Sequence, residues 1–281
     1  MSEAMAAPAG RRPRSPLITL ASLLLSIVVL TPVLWILALS LKTSKETLRA
    51  SMLPATPQPQ NYIEAWNRYG LGQLFLNSTL VTLGSVSVTV VVALSGAYAF
   101  SKIPFKGSEA LFSLLLLGLI IPPSALVVPL LIEMRYLGLC DSRGGLGLVY
   151  VAFGLPIATL VFRGFLASIP NEIIEAARLD GCPEWKILWL IIAPMSKGAI
   201  ATVVILLFLA NWNEFILALV LLRDAAGFTL TLGINAQLGQ YTSDYHLIAA
   251  ASIIAAAPVF LVYLALQRQF ERGVAEGALK G

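Results

Sequence analysis

Six long apolar stretches, separated by shorter polar segments, dominate the chain. They cover residues 17–41, 74–100, 110–134, 145–165, 199–222 and 247–267. As helices rising about 1.5 Å per residue, stretches of this length can cross the hydrocarbon core of a bilayer. Uninterrupted apolar runs exclude the alternating pattern of a membrane barrel. The pattern therefore predicts an all-α integral membrane protein with six transmembrane helices.

The composition supports a membrane location for the whole chain. Hydrophobic residues make up 58% of it and charged residues only 12%, which is about half the charged fraction of ordinary soluble domains. We expect a disordered cytoplasmic tail over residues 1–16 and one six-span domain over residues 17–281. Cys140 and Cys182 are too few for a disulfide framework and are expected to be small apolar fillers on opposite sides of the membrane.

The distribution of basic residues predicts the orientation. The first apolar stretch follows Arg11, Arg12 and Arg14, but it is longer than the core of a signal peptide and five more stretches follow, so we interpret it as a retained signal anchor. With the N-terminus inside, alternate loops hold twelve Lys and Arg residues inside and seven outside, the nineteen of the whole chain. This excess predicts a multi-pass protein of the bacterial inner membrane with both termini in the cytoplasm. The net charge of +4 does not indicate a nucleic-acid partner.

The first predicted outer loop, residues 42–73, contains three prolines and an amphipathic piece over residues 61–69. One interpretation places this piece along the outer membrane surface, with Tyr62 and Trp66 at the level of the lipid headgroups. The other makes it a lid over a transport path. Both interpretations remain open.

A charged segment interrupts the apolar pattern at residues 168–186 and predicts a short helix over residues 170–180. Pro170 suits the first turn, where its missing N–H is not needed. Glu172 and Glu175 then lie near the positive end of the helix dipole and Arg178 near the negative end. Gly181 follows as a residue that can end the helix in the left-handed conformation.

The predicted helix has features of a protein-docking element. Ile169, Ile173 and Ala177 recur on one face, while small residues leave another side without bulk. The alternative, a helix lying on lipid headgroups, would be expected to have a basic polar face, whereas this one is mainly acidic. We therefore predict protein docking, carried by Glu175, Ala176, Ala177, Asp180 and Gly181.

Polar residues inside the apolar stretches are candidates for a solute path, because they are costly in lipid. Asn211, Asn213 and Glu214 flank Trp212, and such amide and carboxylate groups beside an aromatic ring suit sugar hydroxyls and sugar faces. The alternative is that the two amides join helices and Glu214 pairs with a charge on a partner subunit. No set of His, Cys and carboxylate residues has metal-ligand spacing, and no phosphate-binding loop of the form G-x-x-x-x-G-K-[ST] occurs.

The charged segment resembles the EAA loop of permease subunits in bacterial ABC importers, which has the pattern E-A-A-x₃-G-x₉-I-x-L-P. Glu175-Ala176-Ala177, Gly181, Ile191 and Pro194 match this pattern, and Ala193 replaces its leucine. Further segments are similar to the second, six-span permease subunit of maltose-type carbohydrate importers. They are Asn77-Ser78-Thr79, residues 97–102, Trp212-Asn213-Glu214-Phe215, residues 229–233, residues 239–241 and the tail at 270–281.

This resemblance implies the fold of a type I ABC importer permease, with the EAA loop at about residues 168–194 as the contact with the ATPase. The C-terminal tail, at about residues 268–281, would lie in the cytoplasm and contact the ATPase pair. The implied partners are a second permease subunit, two cytoplasmic ATPase subunits and an extracytoplasmic solute-binding protein. The chain itself would bind no cofactor and catalyse no reaction, because ATP would be held by the ATPase subunits.

Other functions are compatible with a polytopic membrane chain. A self-contained secondary carrier or channel is one alternative, although such proteins more often carry buried charges or broken helices in two matching halves. An ABC importer permease for a solute other than a sugar is another. An intramembrane enzyme is disfavoured because the sequence has no catalytic serine–histidine, paired-aspartate or metal constellation.

Overall fold

The computed structural model describes residues 16–48, 51–240 and 244–278, and within these ranges the chain forms helices and loops without strands. Of the predicted tail at residues 1–16, residues 1–15 lie outside the described residues and Pro16 begins the first helix. In chain order the helices are α1 (Pro16–Ser40), α2 (Ser44–Thr47), α3 (Gln60–Arg68), α4 (Leu71–Lys102), α5 (Ser108–Leu117), α6 (Val127–Tyr136), α7 (Arg143–Leu166), α8 (Asn171–Leu179), α9 (Glu184–Lys186), α10 (Ala193–Met195), α11 (Lys197–Trp212), α12 (Ile216–Leu221), α13 (Leu230–Gln240) and α14 (Tyr245–Ala278).

Four continuous helices are long and apolar enough to cross a membrane within the described ranges. They are Leu20–Ser40, Leu71–Lys102, Arg143–Leu166 and Tyr245–Gln267. A fifth crossing is formed only if Glu184–Met195 and Lys197–Trp212, which meet at an angle of 79°, are counted together. The prediction of an all-α, multi-pass membrane protein is confirmed, whereas the count of six spans stays a prediction.

Two of the six predicted stretches are broken in the structure. The stretch at 110–134 is divided between α5 and α6, because Pro122 and Pro123 lack a backbone N–H and Pro122 is extended, with ψ 135°. The stretch at 199–222 is divided between α11 and α12, where the chain turns at residues 213–215. Apolarity alone does not reveal these breaks, since both sides of each break are equally apolar.

The centre of the bundle is the packing of α4 on α7, the most extensive helix contact among the described residues. Gly154 of α7 permits this approach, because a Cβ there would lie 3.2 Å from Thr89 Cγ2 of α4. In contrast, residues 20–37 of α1 are exposed, and α1 packs on α14 at the edge of the bundle. An exposed apolar helix of this kind suits contact with lipid.

Two apolar clusters lie at opposite ends of α4. The first joins the end of α4 to α7, α8 and α11, and the second joins its beginning to α3, α13 and α14. We refer to these regions as the α8 end and the α3 end of the molecule. A third cluster packs α12 against α6 and α7.

The amphipathic piece predicted in the first outer loop is α3, and it packs on α4 and α14. The Asn61 amide donates to the carbonyls of Ser40 and Lys42, at 2.8 Å each, and the Tyr62 hydroxyl lies 2.7 Å from Ser40 Oγ. These bonds join α3 to the end of α1. Trp66 remains 42% exposed, as a residue at a lipid surface could be.

Candidate docking surface and solute path

The predicted docking helix is present as α8, which begins one residue later and ends one residue earlier than predicted. Pro170 lies just before the first turn, in an extended conformation with ψ 137°. Gly181 has φ +77°, which confirms the left-handed helix end. The N–H of Cys182 donates to the Ala177 carbonyl and that of Gly181 to the Arg178 carbonyl, both at 3.0 Å. This is the two-bond helix ending known as the Schellman motif.

One face of α8 lies against the chain's own core. Ile174 is 2% exposed and Ala177 is 7% exposed, and both belong to the apolar cluster that includes the end of α4 and α7. All three residues of the predicted stripe, Ile169, Ile173 and Ala177, pack on this cluster, and Ile174 joins them as a deeply buried residue of the same face. Of the small residues predicted to leave an open side, Ala177 faces inward, while Ala176 and Gly181 are exposed.

Polar side chains connect both ends of α8 to the last turns of α4. At the beginning of α8, the Lys102 ammonium donates to the Ile169 carbonyl at 2.7 Å and to Asn171 Oδ1 at 2.8 Å. At its end, Arg178 Nε donates to Glu184 Oε1 at 2.7 Å, and the Tyr98 hydroxyl donates to Glu184 Oε2 at 2.6 Å. Only the position of Arg178 at the end of the helix dipole was predicted from the sequence. The bonds of Tyr98 and Lys102 were not, because their partners lie 86 and 67 positions away in the chain.

The opposite face of α8 is open, and it combines acidic and apolar groups. Glu175, Ala176, Asp180 and Gly181 are exposed, and Leu179 beside them is 90% exposed. An exposed leucine among carboxylates is typical of a surface that contacts protein. Water disfavours the exposed leucine, and lipid headgroups disfavour the carboxylates. Leu179 was not among the predicted docking residues, although the 3.6-residue period places it next to Asp180 on the outer side of the helix.

A cleft of about 690 Å³ lies beside this open face. It runs between α8 and the loop that joins α4 to α5, and Glu175 and Lys106 are among its lining residues. The docking surface is therefore bounded on one side by a concave region with both signs of charge.

The residues predicted for a solute path lie where α11 ends and α12 begins. The Asn211 amide donates to Ser85 Oγ of α4 at 3.0 Å, and the exposed Asn213 amide donates to the Leu209 carbonyl at 2.8 Å. Glu214 accepts the N–H groups of Leu217 and Ala218, at 2.7 and 3.0 Å. The structure thus brings the three residues together and gives each of them a hydrogen bond inside the chain.

Two further contacts change the chemical character of this region. The Tyr150 hydroxyl donates to Glu214 Oε2 at 2.9 Å, so this carboxylate joins α7 to the beginning of α12. The Trp212 ring is 3% exposed, stacks on Phe208 at 5.3 Å and donates Nε1–H to the Ala255 carbonyl. The ring that we expected beside the amides is therefore turned into the core.

A groove of about 540 Å³ between α4 and α7 was not anticipated from the sequence. Gly84, Gly144 and Gly147 line it and have no neighbouring side chain where a Cβ would stand. Arg143 also lines the groove and donates to Asn77 Oδ1 at 2.6 Å. No group of three metal-ligating side chains occurs in the part of the chain that the structure describes.

With the geometry established, comparison with known proteins identifies the family. Residues 89–276, which include α8 and the region around Glu214, match the family of binding-protein-dependent transport system inner membrane components. The chain belongs to this family. It is therefore a multi-pass membrane component of a transport system that works with a binding protein.

Two similar proteins extend over nearly the full length of the chain. The diacetylchitobiose uptake system permease protein NgcG of Streptomyces coelicolor is 33% identical over 92% of this chain and 86% of its own length. The melibiose/raffinose/stachyose import permease protein MelC of Bacillus subtilis is 31% identical over 97% of this chain and 99% of its own length.

A solved structure supports the fold. A chain in the crystal structure of a bacterial ABC transporter involved in the import of the acidic polysaccharide alginate superimposes with a TM-score of 0.79. The match covers 94% of this chain and all of that chain, at 23% identity. This permease fold, expected from the resemblance of the EAA segment, is confirmed.

Proposed function

We propose that the chain is a permease subunit of an ATP-driven, binding-protein-dependent ABC importer for a carbohydrate. The family membership supports the transport role, and the names of two full-length relatives, which import diacetylchitobiose and melibiose-type sugars, support the solute class. The observation that carries the coupling role is α8, whose inner face is buried in the bundle while its outer face exposes Glu175, Leu179 and Asp180.

The partners in this proposal are a second permease subunit, two ATPase subunits, an extracytoplasmic solute-binding protein and the lipid bilayer. The outer face of α8 is proposed to lie in a cleft of one ATPase subunit, with Glu175 and Asp180 opposite basic groups and Leu179 in an apolar depression. The chain catalyses no reaction and holds no cofactor, because ATP is bound and hydrolysed by the ATPase subunits.

The proposed orientation has the α8 end and both termini in the cytoplasm. Basic side chains are more frequent on cytoplasmic loops than on outer loops. The α8 end carries Lys102, Lys106, Arg178, Lys186 and Lys197, which supports this assignment. The α3 end then faces the solute-binding protein.

Mechanically, the ATPase subunits move α8 when they close, and the bundle moves with it as a rigid body. Burial of Ile174 and Ala177 prevents α8 from sliding on the bundle, because such sliding would open the packed core. A two-state movement of this permease against its partner then exposes the path to one side of the membrane at a time.

The solute path remains part of the proposal. The exposed amide of Asn213 is the group most available to a solute, and Asn211 lies beside the α4–α7 groove through its bond to Ser85. Glu214 would shape the wall of the path by holding the beginning of α12. The sugar itself is selected largely by the binding protein and the second permease.

Reconstitution tests the proposal directly. The chain is purified with the ATPase, second permease and binding protein encoded beside it, and placed in liposomes containing ATP. Accumulation of radiolabelled melibiose, raffinose or diacetylchitobiose is expected with the complete set of subunits and not when the ATPase is omitted. Uptake by the single chain without ATPase would contradict the proposal and favour a secondary carrier.

A further inference from the structure

Several connections join α8 to the rest of the bundle, among them the chain from α7 and the bonds of Lys102 at the beginning of α8. Two connections at the end of α8 differ in stiffness. One route follows the chain from α8 through α9 and α10 into α11. The other crosses from α8 to α4 through the side chains of Arg178, Glu184 and Tyr98.

The route along the chain passes through irregular backbone. Residues Ile187–Ile192 form a π-helical segment, whose wider turns are uncommon in regular helices and often mark functional sites. At Ser196 the helix axis then turns by 79° before α11 begins. Apolar packing holds this connection, since Ile187 and Ile192 are fully buried in the core of the α8 end. Such packing is less directional than a charge-assisted hydrogen bond.

The route through α4 is continuous. This helix runs without proline for 32 residues, which corresponds to about 48 Å, slightly more than the thickness of a membrane with its headgroups. At the α3 end its side chains hold the segment that precedes α13. The Asn77 amide donates to the carbonyls of Ala226 and Phe228, at 2.9 Å each, and Ser78 Oγ accepts the N–H of Leu230 at 2.7 Å.

Glu184 is the central group of the α8–α4 connection. Its two carboxylate oxygens are divided between Arg178 Nε and the Tyr98 hydroxyl, at 2.7 and 2.6 Å. Tyr98 is 3% exposed and is held in the apolar core of the α8 end. A short, charge-assisted bond to an immobile hydroxyl is a stiff connection.

We propose that Tyr98 and Glu184 are positioning residues that couple α8 to α4, so that α4 carries the ATPase-driven movement to residues 226–230 at the opposite end. This inference rests on the proposed function. It assigns to Glu184, which follows the Gly181 turn, a role in force transmission rather than in contact with the ATPase.

The test uses the complete reconstituted importer and measures solute molecules imported per ATP hydrolysed. Glu184→Ala removes both bonds, and we expect this ratio to fall roughly tenfold, the effect of losing a charge-assisted hydrogen bond. Glu184→Gln keeps an acceptor for Tyr98 but loses the ion pair, and Tyr98→Phe loses one bond alone. Each of these two variants is expected to give a smaller fall, of about threefold.

Matched controls separate coupling from general damage. Tyr136→Phe removes a hydroxyl from a tyrosine that is 90% exposed, and Glu109→Gln breaks the ion pair with Arg163, which joins α5 to α7 instead of α8. Ser196→Ala removes a hydrogen bond at the elbow of the route to α11. All three are expected to keep the wild-type ratio of import to hydrolysis.

The outcomes are distinct. The proposal would be overturned if both Glu184→Ala and Tyr98→Phe kept the wild-type ratio of import to hydrolysis. It would also be overturned if that ratio fell in Ser196→Ala but not in Glu184→Ala or Tyr98→Phe. A parallel loss of import and hydrolysis, together with a lower unfolding temperature, would show a structural role and also overturn it. Tyr98→Phe, which removes one oxygen atom, keeps the test valid if Glu184→Ala does not fold. Failure of the wild-type complex to import would instead contradict the proposed function.

Discussion

Two short helices in this molecule, α8 and α12, are both held at each end by polar side chains, yet their outer faces are opposite in character. Lys102 and Arg178 connect the nine-residue α8 to α4. The six-residue α12 begins at the Glu214 carboxylate, and Asp141 binds the backbone just beyond its end. The outer face of α8 exposes carboxylates, whereas that of α12 exposes isoleucine and leucine.

This difference indicates what each helix can contact. Exposed carboxylates around Leu179 suit a polar protein surface in water, whereas Ile216 and Leu219, each about half exposed, suit lipid or another membrane helix. Acidic residues at α8 are therefore available to a partner. At α12, in contrast, the carboxylate of Glu214 binds the N–H groups at the beginning of the helix and so stabilises α12.

The largest expected effect comes from changing the end of α8. Gly181→Val places a β-branched residue at φ +77°, which costs about 1–2 kcal/mol or more and unwinds the last turn. We expect uptake to fall by roughly tenfold or more while the protein still inserts in the membrane. ATP-dependent uptake by proteoliposomes measures the effect.

Gly181→Asn is the matched control, because asparagine tolerates the left-handed conformation. No atom of this chain lies within 4 Å of a Cβ at this position, so neither substitution creates an internal clash. Equal losses in both variants would indicate contact with the ATPase at Gly181 itself. Full uptake in the valine variant would refute the docking role of α8.

Leu179→Asp is expected to weaken ATPase binding by about tenfold, because it places a charge where an apolar group contacts the partner. The unfolding temperature should remain unchanged, since Leu179 is 90% exposed and contributes little to the core. Leu219→Asp on α12 should show no change in ATPase binding. Surface plasmon resonance with the purified ATPase measures the affinity of each variant. Equal affinities for wild type and Leu179→Asp would contradict the claim that the outer face of α8, unlike that of α12, contacts the ATPase.

Glu214→Ala should lower stability more than it changes solute affinity. The substitution leaves the N–H groups of Leu217 and Ala218 and the Tyr150 hydroxyl without their acceptor, at a cost of about 1–3 kcal/mol. Thermal unfolding in detergent measures this loss, and Glu214→Gln, which keeps one acceptor oxygen, is the control. A stable alanine variant with a strongly raised KM for the imported sugar would show instead that Glu214 binds solute.

The smallest effect is expected at Asp141, which binds the chain beyond the end of α12. Its Oδ1 accepts the N–H groups of Arg223 and Asp224, at 2.7 and 2.9 Å, and these bonds lower the pKa of the carboxyl below its ordinary value. A carboxyl with a lowered pKa stabilises the fold above its ordinary pKa, and the contribution is lost as the pH falls through the lowered value.

Asp141→Asn keeps an acceptor and tolerates the observed φ of 55°, but it cannot titrate. Unfolding temperatures between about pH 7 and about pH 3 should therefore fall less steeply for this variant than for the wild type. Parallel pH profiles would mean that Asp141 does not contribute to acid sensitivity.

The sequence was most informative where structure is determined locally. The position of α8 and its ending at Gly181 follow from a proline, a glycine and an amphipathic period within a dozen residues, and both are confirmed. The break at residues 118–122 is also a local feature, because Pro122 and Pro123 predict an interruption of the third span, and it is confirmed. The break at residues 213–215 was missed, because hydropathy is averaged over windows longer than the break.

The contacts between distant segments could not be predicted from the sequence. The bonds of Glu184 to Tyr98 and of Glu214 to Tyr150 join residues 86 and 64 positions apart, and only the packing of helices brings them together. Ala177 was predicted both on the apolar face with Ile169 and Ile173 and on the open side with Ala176. Its burial decides between these places, because the contact of α8 with α4 and α7 sets the rotation of the helix. The roles of the docking and path residues stay predictions.

Site-directed cross-linking in importing membranes tests the central claim most directly. A cysteine that replaces Leu179 on α8 and, in a separate variant, one that replaces Leu219 on α12 are treated with a short bifunctional reagent while uptake is in progress. Both variants carry serine in place of the free Cys140 and Cys182, so that only the introduced cysteine reacts. The account predicts a covalent product between the Leu179 position and the ATPase and none from the Leu219 position. Absence of the ATPase product at Leu179, in membranes that import sugar at the wild-type rate, would contradict it.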